Sequence, residues 1–246
     1  MIPEIIAEAC NNMNGMYTSA LTMVDMAIGA KCDVIKFQLK YLNGYLNEYE
    51  HEKLKKYCDS NKIEYLCTPF SIEAVGFLES IYVKRYKIGS GDLLNFPLLN
   101  AVRETKKPIL LSTGMSTLEE VDKAVEYLQG TNLTLIHSVS IYPCPYNRTN
   151  IDLIPFLRER YKLPIGLSDH TETIYTSIIA TVLGAVLIEK HFTLDKSRIG
   201  PDHKMSLEPK QLKELVEACK AVDSCLGKEK QIWPEEMAKI HLKYHA

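Results

Sequence analysis

Residues 164–191 read PIGLSDHTETIYTSIIATVLGAVLIEKH. Two short β-rich runs, Pro164–Ser168 and Ala185–His191, frame this stretch, and their starts lie 21 residues apart. That is the spacing of a strand, a helix and the next strand. Each run is apolar until its end and then turns polar, through Ser168-Asp169-His170 in the first and Glu189 and His191 in the second. Working outward, the same unit recurs at Ile5–Ala9, Asp33–Gln38, Ile63–Thr68, Arg85–Ile88, Pro108–Ser112 and Leu133–Ser138. The eight starts are separated by 21 to 31 residues. Helical periodicity fills the intervals, as in Tyr17–Ala30, Leu118–Leu128 and Gln211–Leu226. Glu208-Pro209 suits the start of that last helix, since proline fits a first turn. Eight such units in about 250 residues predict a (β/α)8 TIM barrel. An open doubly wound sheet is the alternative, but it needs fewer strands and often a glycine-rich first turn. No GxGxxG follows the first run, and no Gly/Ser-rich linker divides the chain, so 1–246 reads as one domain.

Composition narrows the function classes. The 246 residues are 46% hydrophobic and 24% charged, which excludes disorder as the dominant state. The 29 basic and 31 acidic side chains leave a net charge of −2. Bulk charge therefore gives no case for a nucleic-acid or anionic-membrane partner, and an anion must meet a local basic cluster. Cysteines stand at 10, 32, 58, 67, 144, 219 and 225 without a CxxC pair, which reads as reduced thiols. The start Met-Ile-Pro-Glu lacks a signal-peptide pattern, and the apolar run Ile178–Ile188 is too short to span a bilayer. A cytoplasmic location is the expectation.

Barrel enzymes work at the C-terminal ends of their strands. Those ends are polar here: Glu8, Lys36 with Gln38, Thr68, Lys87 with Ser90, Ser112 with Thr113, His137 with Ser138, Ser168-Asp169-His170, and Glu189 with His191. Lys36 and Lys87, with the hydroxyls and backbone donors of Gly89-Ser90-Gly91, Ser112-Thr113-Gly114 and Ser168, make an anion site. The competing reading pairs both lysines with barrel carboxylates such as Glu8 and Glu189. His170 and His191 end consecutive strands, and two imidazoles with oxygen ligands suit Mn²⁺, Fe²⁺, Co²⁺ or Zn²⁺. Two such histidines can equally serve as hydrogen-bonding residues. Glu189 shares a strand face with His191, and Glu8 can join from strand one. Tyr142-Pro143-Cys144-Pro145-Tyr146 reads either as a ligand-lining loop or as a proline-shaped turn. Gly200-Pro201-Asp202-His203 either reaches the mouth or is only a turn. Cys67 and Cys144 are taken as bystanders, and Lys53–Lys56 as a solvated helix face.

Taken in order, these motifs resemble the N-acetylneuraminate (sialic acid) synthase family, including its legionaminate and pseudaminate synthases. The matching stretches are Ile6-Ala7-Glu8 with Asn12 and Gly15, Ile35–Gln38, Thr68-Pro69-Phe70, Tyr86–Gly91, Leu111–Met115, Tyr142-Pro143 with Pro145-Tyr146, Leu167–Thr171, Ile188–Thr193 and Gly200–His203. The resemblance implies a barrel that condenses phosphoenolpyruvate with an N-acetylated amino sugar, assisted by a divalent metal, typically Mn²⁺. It implies His170 and His191 as metal ligands. Lys36, Thr68, Lys87, Ser90, Ser112 and Ser168 would hold phosphoenolpyruvate, and Gln38, Tyr142 and Asp202 the sugar. Glu8, Asp92 and Glu189 would orient groups or move protons. A Schiff-base aldolase using Lys87 or Lys36, and a catalytically silent sugar-binding barrel, are the alternatives.

The sequence departs from that family at several positions. Met13 replaces a usual histidine, Cys10 a glycine, Asn11 an apolar residue and Asp92 a glutamate. Ser140 stands where an Asn or acidic residue is common, and the connection Leu39–Glu48 is short. Family members commonly carry a C-terminal antifreeze-like domain that reaches the partner subunit's barrel. Residues 227–246 fall where its linker would begin, so the expectation is a barrel-only chain: a separate lid domain or partner chain supplies the missing part, or another element closes the mouth, or the sugar differs, or the chain is an inactive remnant; the leaning is towards a homo-oligomer.

Overall fold

In the computed structural model, which describes residues 2–226 and 235–245, every expected β-rich run is a strand. The strands are β1 (Glu4–Cys10), β2 (Val34–Leu39), β3 (Glu64–Pro69), β4 (Tyr86–Ile88), β5 (Ile109–Ser112), β6 (Leu133–Ser138), β7 (Ile165–Asp169) and β8 (Leu187–His191). Helices α1 (Tyr17–Gly29), α2 (Glu48–Ser60), α3 (Ile72–Ser80), α4 (Phe96–Glu104), α5 (Leu118–Tyr127), α6 (Leu153–Tyr161), α7 (Tyr175–Val182) and α8 (Pro209–Leu226) follow the strands in turn. A last helix, α9, spans Glu235–His245; residues 227–234 and 246 of the expected tail lie outside the described residues. Local chemistry sets several helix starts. Asn47 with Glu50, and Thr117 with Glu120, form capping boxes that satisfy free N–H groups at the starts of α2 and α5.

All paired strands are parallel, in the order β3-β2-β1-β8-β7-β6-β5-β4. β3 and β4 lie side by side and complete the cylinder, yet no hydrogen-bond ladder joins them among the described residues. The fold is therefore a (β/α)8 barrel with one unzipped seam.

Side chains fill the barrel in layers. At the bottom, Arg85 bridges Glu4 at 2.6 Å and Glu64 at 2.7 Å. Above it Ile6, Val34, Leu66, Leu110, Ile136 and Leu187 form an inner apolar layer. Alternation along a strand puts the residue two positions on at the same face. From this layer that step reaches Glu8, Lys36, Thr68, Ser112, Ser138 and Glu189. The outward faces of the strands pack with the helices into a second, larger apolar cluster.

Gly166 occupies the inner layer on β7. A Cβ there would sit 2.5 Å from Leu187 Cγ and Cδ1 and 3.1 Å from the Leu187 carbonyl oxygen. Gly166→Ala is expected to cost about 1–3 kcal/mol through overpacking, read as a lower denaturation midpoint at unchanged slope.

The basic run on α2 is only partly solvated. Lys53 and Lys56 are exposed, but Lys55 is buried and paired with Asp59. No helix among the described residues is long and apolar enough to cross a membrane.

Candidate active site

The polar layer surrounds a cavity of about 240 Å³ at the C-terminal ends of the strands. Glu8, Lys36, Gln38, Ser90, Ser112, Ser168, Tyr142, His170, Glu189, His191 and Asp202 all line it. A larger groove of about 650 Å³ lies elsewhere, between α5 and α6. There Asp122 is bonded to Arg160 and Tyr161, and Glu126 is the other acid of the lining, so no cluster of lysines, histidines and carboxylates converges on that groove.

Two lysines and two glutamates form the floor. Lys36 Nζ meets Glu8 Oε2 at 2.7 Å and Glu189 Oε2 at 3.6 Å, and donates to Thr68 Oγ1 at 3.2 Å. Lys87 Nζ lies 3.6 Å from Glu189 Oε1, which also accepts from Ser168 Oγ at 2.8 Å. Gln38 Nε2 donates to Glu8 Oε1 at 3.4 Å. The register explains the meeting, because Glu8 pairs with Lys36 on one side and with His191 on the other. Both lysines thus pair with barrel carboxylates; Lys36 also lines the cavity, and Lys87 lies beneath it.

Burial and charge divide the carboxylates. Burial pushes Glu8 up to about 7, against the pull of Lys36. Burial also presses on Glu189, but Lys36 and Lys87 outweigh it and hold this group down at about 2. Lys36 stays raised, because the two carboxylates outweigh its burial. Burial lowers Lys87 to about 8. Near neutrality the cluster holds one firm anion, Glu189, against two ammonium groups, and Glu8 is poised to exchange a proton. That balance invites an anion.

Hydroxyls of Ser90, Ser112, Ser138 and Ser168 line the cavity above the floor. A Cβ on Gly114 would lie 2.7 Å from Ser90 Oγ and Ser140 Oγ and 3.2 Å from the Ser138 carbonyl oxygen. The missing Cβ lets the loop after β5 approach both hydroxyls and this carbonyl closely.

The histidines stand on the other wall. Their rings are 5.4 Å apart, with the Tyr142 ring 4.2 Å from His170 and 6.1 Å from His191. His170 Nδ1 pairs with the Val139 carbonyl at 2.7 Å, which directs Nε2 inward, towards Ser168 Oγ at 3.4 Å. A backbone carbonyl behind an imidazole is a common way to orient a metal ligand. His191 Nδ1 is buried with no hydrogen-bond partner. Burial lowers both histidines, so they are neutral imidazoles able to donate a lone pair.

Lys190 points away from the cavity, between β8 and the outer shell. It is fully buried, 3.0 Å from Asp169 Oδ2 and 2.6 Å from the Thr171 carbonyl oxygen. This outward pair ties the ends of β7 and β8 together behind the two histidines.

Some expected residues sit elsewhere. Lys87 and Thr68 are buried in the floor, beneath the lining of the cavity. Asp92, on the short turn after β4, accepts from Asn95 Nδ2 at 2.9 Å and does not line the cavity. His137 faces outward and bonds the Thr149 carbonyl at 2.8 Å, while its neighbour Ser138 lines the cavity. Cys144 lies near His170 through a backbone bond, and Cys67 lies behind the floor. Residues not singled out as ligand-binding also line the mouth: Cys10, Asn11, Lys40 and Tyr45. Cys10 Sγ donates to Asp202 Oδ2 at 2.9 Å.

Comparison with known proteins places this arrangement. The model of the NeuB family matches residues 40–231. An N,N'-diacetyllegionaminic acid synthase of Campylobacter jejuni is 35% identical, over 91% of this chain and 77% of its own length. The enzyme of that name from Legionella pneumophila is also 35% identical, over 91% and 73%. The crystal structure of an N-acetylneuraminic acid synthetase from Leptospira borgpetersenii, in complex with citrate, superposes with a TM-score of 0.89 at 32% identity. That match covers 98% of this chain and 91% of the other. With a family model matching most of its length and relatives above 30% identity across its barrel, the chain belongs to the NeuB family.

Proposed function

We propose that this chain condenses phosphoenolpyruvate with the open aldehyde form of an N-acetylated amino sugar, giving a nine-carbon 2-keto acid and phosphate. The observation that carries the reading is the floor of Lys36 and Lys87 around Glu189, ringed by serines and set beside two neutral histidines. The synthase names of the relatives agree with it. Lys36, Thr68, Lys87, Ser90, Ser112 and Ser168 bind the phosphate and carboxylate of phosphoenolpyruvate. Gln38, Tyr142 and Asp202 face the sugar.

His170 and His191 are fit to hold a divalent metal such as Mn²⁺, since one has its far nitrogen anchored and the other has a buried nitrogen without a partner. Bound there, the metal supplies Lewis-acid polarisation of the aldehyde oxygen.

The protein's own groups account for the protons. C3 of the enol phosphate bonds to the aldehyde carbon, and protonated Glu8 gives its proton to the oxygen that becomes a hydroxyl. Water adds to the cationic C2 and returns a proton to Glu8. The C2–O bond to phosphate then breaks, and the C2 hydroxyl proton leaves with the phosphate as the keto group forms. Glu189 keeps both lysines oriented throughout. A carboxyl group near 7 suits a residue that must give and take a proton near neutral pH.

The test is phosphate release from phosphoenolpyruvate with Mn²⁺ and a panel of N-acetylated amino sugars. Release with one sugar, lost in His191→Ala, is the expected result; silence with every sugar refutes the proposal. The lowered Lys87 also favours a second reading, a Schiff-base aldolase, which predicts a borohydride-trapped adduct on that lysine.

Phosphoenolpyruvate affinity is expected to fall as pH rises through about 8, because Lys87 loses its charge there. Lys87→Met should bind more weakly and lose that inflection. Calorimetry across pH 6.5–9 in buffers of different ionisation enthalpy checks both the slope and the proton taken up.

A further inference from the structure

A third wall of the cavity holds a donor set that the two histidines alone do not explain. The register of β1 shifts between Glu8 and Cys10, and Cys10 has a φ of +47°, in the left-handed region. Its thiol thereby meets Asp202, which reaches back from the loop after β8. That loop is fixed: Ser206 Oγ donates to the Asp202 carbonyl at 2.6 Å, and Asn12 Nδ2 donates to Ser206 Oγ at 3.0 Å and the Phe192 carbonyl at 2.8 Å. His191, at the end of β8, completes the group. One donor atom from each of Cys10, His191 and Asp202 lies within 4.8 Å of the other two. Two atoms that each ligate one ion at about 2.0–2.3 Å can stand at most about 4.6 Å apart, so the three are close to a coordination sphere.

An independent observation points the same way. His191 is 7% exposed, and its buried Nδ1 has no hydrogen-bond partner. A buried ring nitrogen left without a partner is costly unless something is meant to meet it.

We propose that Cys10 Sγ, one ring nitrogen of His191 and a carboxylate oxygen of Asp202 together bind a divalent cation, and that the sulfur ligand makes the site select Zn²⁺, Co²⁺ or Fe²⁺ over Mn²⁺. The proposal rests on the metal-assisted reading given above and changes its donor set and metal. Thiolate is a soft ligand and disfavours Mn²⁺, which prefers carboxylate, carbonyl and water oxygens. Three protein ligands leave further positions open towards the cavity, as a catalytic rather than a structural site requires. Cys10 binds as thiolate, so its proton is released to solvent when the cation enters. The hydrogen bond to Asp202 is given up at the same time. The His170 ring lies 5.4 Å from that of His191, and its Nε2 can exchange Ser168 for the cation as a further ligand. The other Asp202 oxygen stays available to the sugar.

The test is titration of the metal-free full chain with Co²⁺, read by absorbance rather than turnover. The expected result is one Co²⁺ per chain, a sulfur-to-cobalt charge-transfer band in the near ultraviolet, and loss of that band in Cys10→Ser and Cys10→Gly. Glycine suits the left-handed backbone at position 10, so Cys10→Gly should fold, and its metal preference should move towards Mn²⁺. Competition between Zn²⁺ and Mn²⁺ for the parent chain should favour Zn²⁺ by at least tenfold. Stoichiometric Co²⁺ binding with no charge-transfer band, unchanged in Cys10→Gly, would overturn the proposal and leave a histidine-held metal standing. Absence of any Co²⁺ or Zn²⁺ binding would also overturn it. Phosphate release in the presence of a chelator separates the two ideas: turnover that survives chelation removes the metal-assisted reading itself.

Discussion

Glu8→Gln is expected to slow turnover by about 10²- to 10⁴-fold while changing phosphoenolpyruvate affinity only a few-fold. Glutamine keeps the shape of the side chain and can still meet Lys36 and Gln38, the neighbours of the native carboxylate. It cannot exchange a proton. The native group stands near 7 because burial disfavours its charge more than Lys36 rescues it. Steady-state kinetics with calorimetry would separate the outcomes. A fall in kcat at steady Kd supports a proton carrier. A fall in affinity alone would show that Glu8 only positions Lys36. Turnover within threefold of the parent would remove Glu8 from the chemistry.

Lys36→Met should be the most damaging single change in the floor. It leaves the buried Glu8 and Glu189 with Lys87, beside Glu189, as the remaining cation of the floor. Breaking one side of a buried ion pair costs about 3–5 kcal/mol. Phosphoenolpyruvate binding should be lost with it, since one of the two ammonium groups that would meet the anion is gone. The pH dependence has a definite sign. Without Lys36 the folded-state value of Glu8 rises further above its ordinary 4.5. Glu8 then contributes most when protonated, and its contribution is lost as pH rises from the unfolded to the folded value. The stability deficit of Lys36→Met should therefore shrink at pH 5.5 relative to pH 8. Adding Glu8→Gln should recover much of the stability but none of the binding. Denaturant titrations of the single and double variants at both pH values decide this. Unchanged midpoints would mean that the floor is wetter and looser than the geometry describes.

The fold was legible in the sequence because barrel strands carry two signals at once. Their spacing marks the repeat, and the two-residue step from Ile6 to Glu8, Val34 to Lys36, or Leu187 to Glu189 marks which face turns polar at the top. The same alternation separates Ser138 from His137, a distinction that a strand-end tally misses because it does not assign faces. The burial of Lys55 was hidden for the opposite reason: a run of lysines reads as solvated until one finds Asp59 a turn later. Asp92 follows Gly-Ser-Gly where the family motif has a glutamate, but a short turn and Asn95 engage its carboxylate outside the cavity lining. The contact between Cys10 and Asp202 could not be read from one dimension. It spans 192 positions and depends on a register shift that breaks the alternation on which strand reading relies.

The unzipped edge between β3 and β4 gives the proposed phosphoenolpyruvate site a mechanical meaning. Thr68 and Lys36 lie on the β2–β3 side of that gap, and Lys87 and Ser90 lie on or after β4. No backbone ladder holds the two margins together among the described residues, and contacts between the two strands join them instead. An enol phosphate gripped by both lysines would act as a rivet across the staves of an unhooped cask. Its arrival would tighten the whole cylinder as well as fill its mouth.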